Sequence, residues 1–326
     1  MCVNAYGETK PFRSAQGQIS AMKRFFHSLG ASIFVAGVVL TFTTTLLARK
    51  LPRTVGPPDI TENRSFVLQP AQRLHVSNVD GSVRVDTHLM DEIRVTATIK
   101  AYTRAIGDKT AQQEYTASLV RISENEGTLE ITTESRPRPD GVELSVDYAL
   151  RVPEGANLVI DNENGEALIG QGCGDVTVRG RNVDIGIENP SGDVEAVSTN
   201  GRIRLSGSRQ LARLNTANGN VWVRAYGGSV NAATVNGAIE GHIMTPDVEA
   251  CSLTTQNGHI TLVLCEGCSI AIEATTMHGA IRVDAPTDFA NGVQRRDYIR
   301  GTIGGGERRF SLETLNGDIW LTRSLL

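Results

Sequence analysis

Two of the five cysteines are close enough in sequence to act as a pair. Cys265 and Cys268 are separated by a Glu-Gly dipeptide, a spacing found in redox centres and in one half of a zinc site. A zinc site needs a second cysteine pair or two spaced histidines, and a thioredoxin-like centre needs a βαβ unit; neither accompanies this pair. In an oxidising compartment the two thiols could form a strained, vicinal-type disulfide in a turn, without a redox role. Cys251 occupies a position that is apolar in the neighbouring repeats, as expected for a small core residue.

Two histidines raise the question of a metal site. His259 and His278 occur in successive copies of a repeated turn phrase, so stacking of the repeats would bring them near one another. No column of carboxylates accompanies them, and the pattern favours solvated turn histidines. Residues 170–175 superficially resemble a calcium β-roll nonapeptide, but that roll needs its aspartate in every coil. The sequence therefore predicts no metal, no cofactor and no catalytic residue.

Tryptophans and arginines recur at one position of the repeat, the third residue after its glycine. The set at this position is Arg204, Trp222, Glu240, Thr261, Arg282 and Trp320. A carbohydrate-active β-helix enzyme would need paired carboxylates or a calcium-binding acid cluster on one outward face. Aromatic and arginine side chains are instead typical of contact surfaces, although scattered surface residues remain the alternative. We take as the candidate binding face Arg204, Trp222, Glu240, Arg282 and Trp320.

These side chains belong to a phrase that returns throughout the C-terminal half. Its glycines at 165, 201, 219, 237, 258 and 279 are separated by 36, 18, 18, 21 and 21 residues. A fixed period of this kind indicates a repeated structural unit. The turn pairs are Asn200-Gly201, Asn218-Gly219, Asn236-Gly237, Asn257-Gly258 and Asn316-Gly317.

Apolar residues alternate with polar ones on both sides of each turn, which predicts two strands per unit. Asn-Gly supplies a turn with positive φ between them. Stacking would place Ile203, Val221, Ile239, Ile260 and Ile281 in one internal column. It would place the turn asparagines in a second internal column, where their amides can form a ladder.

Two architectures fit alternating strands joined by Asn-Gly. An antiparallel meander is one, because Asn-Gly is a strong hairpin signal. Such a sheet would leave an apolar face with no second layer to cover it, whereas a solenoid covers that face with its own coils. We therefore predict an all-β fold, a parallel β-solenoid or β-helix with coils of 18–21 residues, preceded by a single transmembrane helix.

From about Phe66 to the end, the chain resembles the bacterial putative-adhesin domain family. The resemblance rests on the phrases at 74–85 and 146–155, on the Asn-Gly repeats, and on the closing residues 304–306 and 315–319. It implies a β-solenoid of the cell envelope. It implies no particular activity, because the matching residues are the ones that a coil itself needs.

The N-terminal region carries a membrane signal. Residues 1–24 are basic, and the uncharged run 25–48 is long enough to span a bilayer as one helix. We interpret 1–24 as cytoplasmic and 25–48 as an uncleaved signal anchor; a cleaved signal peptide starting at Met22 is the alternative. The expected location is the cell membrane, single-pass, with the C-terminal domain extracytoplasmic.

The remainder divides into three parts. Residues 49–65 read as a linker, 66–152 as a β module with a capping helix at 105–117, and 153–326 as the solenoid repeats. The repeat is interrupted at 284–309, which we interpret as a degenerate coil plus a glycine-rich turn, with a functional loop as the alternative.

Charge excludes one class of partner. Seven of the 32 basic residues and one of the 36 acidic residues precede residue 54, which leaves 25 basic and 35 acidic residues beyond it. A domain with this balance is poorly suited to phosphate backbones, so we expect no nucleic-acid binding.

The predicted function is a non-enzymatic adhesion or interaction module. Its expected partners are the membrane through one helix and an envelope protein or surface glycan, with possible self-association through the solenoid end. The rivals are a carbohydrate-active enzyme and an envelope-stress sensor.

Overall fold

The computed structural model describes residues 60–69, 71–103, 119–134, 142–284 and 292–324. All regular structure in these ranges is β-strand, which confirms the all-β prediction. The strands before the repeats are β1 (Ile60–Leu68), β2 (Arg73–His88), β3 (Ile93–Thr103), β4 (Val120–Asn125), β5 (Thr128–Thr133), β6 (Val142–Pro153) and β7 (Asn157–Ile169). The expected helices at 25–48 and 105–117 lie outside the described residues.

The repeats supply the remaining strands, two for each coil. They are β8 (Val176–Glu188), β9 (Val194–Asn200), β10 (Ile203–Ser208), β11 (Ala212–Asn218), β12 (Val221–Ala225), β13 (Gly228–Asn236), β14 (Ile239–Ile243), β15 (Val248–Asn257), β16 (Ile260–Leu264), β17 (Ile270–His278), β18 (Ile281–Asp284), β19 (Val293–Gln294), β20 (Tyr298–Ile303), β21 (Arg308–Asn316) and β22 (Ile319–Arg323).

Each coil adds one strand to each of two parallel stacks. The back stack consists of β9, β11, β13, β15, β21 and β17, in that spatial order. The front stack consists of β10, β12, β14, β16, β22 and β18. The long strands β2, β7 and β8 contribute to both stacks. This mostly parallel arrangement is consistent with a β-solenoid and differs from an antiparallel meander.

Aliphatic side chains of the two stacks form one core. Ile203, Val221 and Ile239 lie in register on neighbouring front strands and are almost completely buried. Leu253 of the back stack reaches across the core, with Cδ1 only 3.2 Å from the position of a Cβ at Gly241 of the front stack. Each buried aliphatic side chain contributes about 2 to 3 kcal/mol. The internal columns thus stabilise the coils against one another.

The turn glycines are required by the close approach of successive coils. A Cβ at Gly219, Gly237 or Gly258 would lie 1.9 to 2.0 Å from the carbonyl oxygen of the turn glycine in the neighbouring coil. None of these three glycines has φ in the left-handed region, so the expected turn with positive φ is wrong at these positions. The same contact with a backbone carbonyl recurs at Gly201, Gly279 and Gly317. A strand spacing of about 4.8 Å leaves no room for a side chain there.

The hydroxyl three residues before each glycine satisfies that same carbonyl. Thr216 donates from Oγ1 to the carbonyl oxygen of Gly201, and Thr234 donates to Gly219, each over 2.9 Å. Equivalent bonds come from Ser198, Thr255, Thr276 and Thr314. These hydroxyl-bearing residues are buried. Because a buried carbonyl without a partner is costly, the hydroxyl column explains the threonine of the phrase.

The turn asparagines form a ladder of side-chain amides on the outside. Each Nδ2 donates to Oδ1 of the preceding asparagine over 2.7 to 2.8 Å, at Asn182, Asn200, Asn218, Asn236, Asn257 and Asn316. These side chains are exposed, so the expected internal column of asparagines is wrong. An amide has more hydrogen-bonding positions than one neighbour above and one below can satisfy, and solvent supplies the rest.

The last coil is inserted between two earlier ones. Strands β21 and β22 lie between the coil of β15 and β16 and the coil of β17 and β18. Consequently Ile319, rather than Ile281, follows Ile260 in the front column. The chain skips one position in the stack after β16. In this connection Cys265 and Cys268 form a disulfide, and both are buried.

The C-terminal end of the back stack is covered by a reversed strand. Strand β20 runs antiparallel to β17 and also pairs with β19. Gly304 and Gly306, at φ 64° and 72°, then turn the chain towards β21. Within the described part of 284–309, the expected degenerate coil is therefore wrong. An antiparallel strand pairs the last edge of the stack and stops its extension.

The N-terminal module continues the stack instead of forming a separate unit. Strand β2 pairs in parallel with β7 over 73–85 and carries β5 and β6 on its other side. Strands β6, β3 and β1 then form an antiparallel sheet. Strand β1 starts at Ile60, within the segment 49–65 that was expected to be a linker. Its regular pairing with β3 accounts for this difference.

Candidate functional site

The candidate binding face is one outward column of the front stack. The strand register places its members in the order Arg204, Trp222, Glu240, Thr261, Trp320 and Arg282. They project outward because side chains alternate along a strand and their neighbours in sequence are buried. We call this set the outward column.

Trp222 is the centre of a group of contacting side chains in and beside the outward column. The guanidinium carbon of Arg204 lies 3.8 Å from the centroid of the indole ring, and that of Arg224 lies 5.3 Å away. The ring of His242 approaches Trp222 to 5.5 Å between centroids. Nε2 of His242 is 2.6 Å from Oε1 of Glu240. Cation–π contacts and the His242 ring, itself held by its contact with Glu240, therefore keep the indole in place.

Trp320 and Arg282 lie towards the other end of the column. Trp320 contacts His259, with 4.9 Å between ring centroids. Three strand spacings, about 14 Å, separate Trp320 from Trp222 along the stack. The structure thus brings Arg204, Trp222 and Glu240 together and leaves Trp320 and Arg282 apart from them.

Two of the side chains that surround Trp222, Arg224 and His242, were not among the site residues predicted from the sequence. Arg224 and His242 occupy the next outward position of their strands, five residues after the turn glycine. The alternation of buried and outward residues in β12 and β14 continues to that position. The same alternation in the sequence could therefore have identified both residues as outward-facing. The Nε atom of Arg224 is buried and has no hydrogen-bond partner. This guanidinium therefore retains unused donor capacity beside Trp222.

The two histidines considered as metal ligands are not neighbours. The inserted last coil separates them: Nδ1 of His259 accepts a bond from the backbone NH of Asp318, and Nδ1 of His278 lies 3.0 Å from Oδ1 of Asn316. Their predicted proximity is wrong, because the coils do not stack in sequence order. Within the described ranges, no group of three or more His, Cys, Asp or Glu side chains is arranged to hold a metal ion.

An acidic pair lies on neighbouring strands at the C-terminal end of the back stack. Glu273 accepts a 3.0 Å bond from the hydroxyl of Tyr298 on β20. Burial, with the nearby negative charge of Glu273, raises the pKa of Glu313 above its ordinary value. Burial also raises the pKa of Tyr298, with a smaller contribution from its bond to Glu273. The bond from Tyr298 links β20 to β17, which is a structural role for the Glu273 carboxylate.

Among the residues that the structure describes, the two thiols outside the disulfide are buried. Burial raises the pKa of Cys173 and Cys251 to about 12, so both are protonated at neutral pH and poor nucleophiles. Cys251 lies in register between Val230 and Phe310, as expected for a small core residue.

Across the described ranges, no helix is both long and apolar enough to span a bilayer. The expected anchor at 25–48 lies outside those ranges.

This chain is similar to solved structures of several bacterial proteins. A solved structure of a putative adhesin from Bacteroides fragilis NCTC 9343 is 12% identical, and the match covers 82% of this chain and 99% of that one with a TM-score of 0.50. A putative adhesin from Parabacteroides distasonis ATCC 8503 is 10% identical over 81% of this chain and 97% of that one, with a TM-score of 0.43. A putative lipid binding protein from the same strain is 11% identical over 82% and 98%, with a TM-score of 0.33.

No curated protein matches the sequence significantly. The family model described as Toastrack DUF4097 matches residues 71–322, which span nearly all of both stacks and the N-terminal module apart from β1. Since this match covers well over half of the chain, the chain belongs to the Toastrack DUF4097 family.

Proposed function

We propose that this protein is a non-catalytic adhesion or interaction module whose binding surface is the outward column. The observation that carries the proposal is the cluster of Arg204, Arg224 and His242 around Trp222. Tryptophan and arginine dominate binding energy at typical interfaces. The names of the solved adhesins are consistent with this role.

The rigidity of the surface favours binding. Trp222 projects from the middle of a parallel stack, and its ring is contacted by Arg204 from one neighbouring strand and by His242 from the other. Side chains that are already ordered lose little conformational entropy when a partner binds. The protein partner or surface glycan would then be recognised by indole edges and guanidinium donors.

We also propose that the domain is exposed outside the cytoplasm, anchored by the apolar run at 25–48. A periplasm-dependent or export-dependent reporter fused after Leu326 is expected to be active. The same reporter placed after Lys10 is expected to be silent, because the basic N-terminal segment is assigned to the cytoplasm. Activity of a cytoplasm-specific reporter after Leu326 would reject the proposed location.

The binding proposal predicts a loss of capture when the cluster is removed. The full-length chain, immobilised, is used to capture its partner from solubilised membranes of its own host. The double variant Trp222→Ala with Arg204→Ala is expected to weaken capture tenfold or more, since such anchors contribute roughly 2 kcal/mol each. The melting temperature should change little because both side chains are outside the core.

Arg213→Ala is the matched control. Arg213 is an exposed arginine at an outward position of the back stack, and its loss should leave capture unchanged. Undiminished capture by the double variant, or an equal loss with Arg213→Ala, would show that the outward column is not the binding surface.

A further inference from the structure

At one position of the front face, neither the φ angle nor a close backbone contact requires a glycine. Gly186 lies inside β8 at an outward position, in register between Leu168 and Arg204. It does not have a φ in the left-handed region. A Cβ there would meet a single atom within 4 Å, Cδ2 of Leu168 at 2.9 Å, the end of a flexible side chain. Glycine weakens a strand interior, and it often marks close approach of a ligand.

The missing side chain opens a hollow of about 250 Å³ in the front face. The hollow is lined by the outward side chain of Leu168 and by the chain at Ile169, Gly170, Gly186 and Ile187, where both isoleucine side chains are buried in the core; its exposed charged residues, which form the rim, are Arg84, Asp86, Glu188 and Arg204. Arg84 and Arg204 lie three strand spacings apart, about 14 Å between backbones. Their long side chains therefore reach the hollow from opposite ends.

The rim carries charges that do not pair with one another. In the described part of the chain, no ion pair within 4 Å joins any two of the four charged rim residues. All four are exposed. These charged residues thus offer guanidinium donors for an anion and carboxylate acceptors for hydroxyl groups, around the side chain of Leu168 and the backbone of Gly186. Arg204 also contacts Trp222, so the hollow is continuous with the outward column.

We propose that this hollow binds one uronic acid unit of an acidic polysaccharide. The C–H face of a pyranose ring packs on the side chain of Leu168 and on the backbone at Gly186, where no side chain intervenes. The sugar carboxylate pairs with a guanidinium of Arg204 or Arg84, for which bidentate geometry suits carboxylates. Sugar hydroxyls donate to Asp86 and Glu188. A volume below the roughly 300 Å³ of ordinary small-molecule pockets fits a single ring. Inorganic phosphate fits poorly, because two carboxylates on the rim repel a dianion.

This inference rests on the proposed function and narrows it to a ligand class. The test is calorimetric titration of the full-length chain with tetragalacturonate, with maltotetraose as the neutral probe and inorganic phosphate as the bare anion. Tryptophan emission is recorded in parallel, since the chain has two tryptophans and Arg204 lies against one of them. Tetragalacturonate is expected to bind at least tenfold more tightly than maltotetraose or phosphate and to alter the emission.

Gly186→Leu is the decisive variant. It fills the hollow while Arg204 and Trp222 stay in place, and it is expected to weaken tetragalacturonate binding tenfold or more. Arg84→Gln should weaken it several-fold through loss of one guanidinium. Asn231→Leu, an outward substitution on the back stack, should leave binding unchanged.

The inference is overturned by equal binding of maltotetraose, by binding that survives Gly186→Leu, or by no heat with tetragalacturonate. If tetragalacturonate fails to bind but membrane capture still depends on Trp222 and Arg204, the hollow is rejected and the interaction surface stands. If tetragalacturonate binding depends on Gly186 while capture ignores Trp222, the hollow stands and the wider surface is rejected.

Discussion

Ile239→Asp is expected to unfold most of the repeat region at temperatures where the parent is stable. Ile239 is 1% exposed and lies in the front column between Val221 and Ile260. An aspartate there would bury an unpaired charge or a neutral acid without hydrogen-bond partners. The expected cost is about 4 kcal/mol or more in the free energy of unfolding. Thermal unfolding followed by far-UV circular dichroism measures it.

The control introduces the same aspartate side chain at an outward position of a strand. Ser252 lies on β15 between Asn231 and Ser311, neither of which is charged. Ser252→Asp should change the free energy of unfolding by about 0.5 kcal/mol or less, as at most surface positions. Equal melting shifts for Ile239→Asp and Ser252→Asp would contradict the inward and outward assignment of the strands.

Local alternation was sufficient to predict which residues become neighbours within most of the stack. Ile203, Val221 and Ile239 were placed in one internal column, and the structure has them in register. Arg204 and Trp222 were placed on the outward side and are in contact. These predictions succeed because a strand of period two has only two faces and the repeat length sets the register.

The spatial order of the last coils could not be predicted in the same way. Every coil presents the same turn phrase, so the phrase alone does not decide whether β17 pairs with β15 or with β21. The intervals between turn glycines do not distinguish these choices. His259 and His278 were therefore expected to be close, although Asn316 and Asp318 lie between them. Order in a repeat protein depends on the connections, here the disulfide-closed turn at 265–268 and the reversed strand β20.

The hollow beside Arg204 shows a second limit of the pattern. In the sequence, Gly186 is one of 33 glycines, and only its surroundings in the folded chain distinguish it from the glycines of the turns. Arg84 belongs to the N-terminal module, which was expected to be a separate part. Its place beside Leu168, at the edge of the hollow, follows from the pairing of β2 with β7, a long-range contact that no local pattern predicts.

Gly219→Ala is expected to be nearly as damaging as the buried charge, although it adds one methyl group. The new Cβ would lie 2.0 Å from the carbonyl oxygen of Gly201, so the two coils must separate by more than 1 Å. That movement would stretch the bond from Thr216 to the same carbonyl and the 3.0 Å bond from the NH of Ile203 to the carbonyl oxygen of Asn220. Overpacking together with weakened buried hydrogen bonds should cost about 3 to 5 kcal/mol.

The measurement for this variant is again thermal unfolding, where we expect the melting temperature to fall by on the order of 10 °C. Gly305→Ala is the matched control: Gly305 is exposed, its φ is not in the left-handed region, and a Cβ would first meet the rotatable Oγ of Ser269 at 3.1 Å. If Gly219 served only to supply a permissive turn, Gly219→Asn would rescue Gly219→Ala, because asparagine tolerates positive φ. Contact between coils predicts the opposite, since any Cβ meets the same carbonyl. If Gly219→Asn is more stable than Gly219→Ala, the repeated glycine is required by the turn conformation. Contact between coils would then be rejected as the reason for glycine at this position.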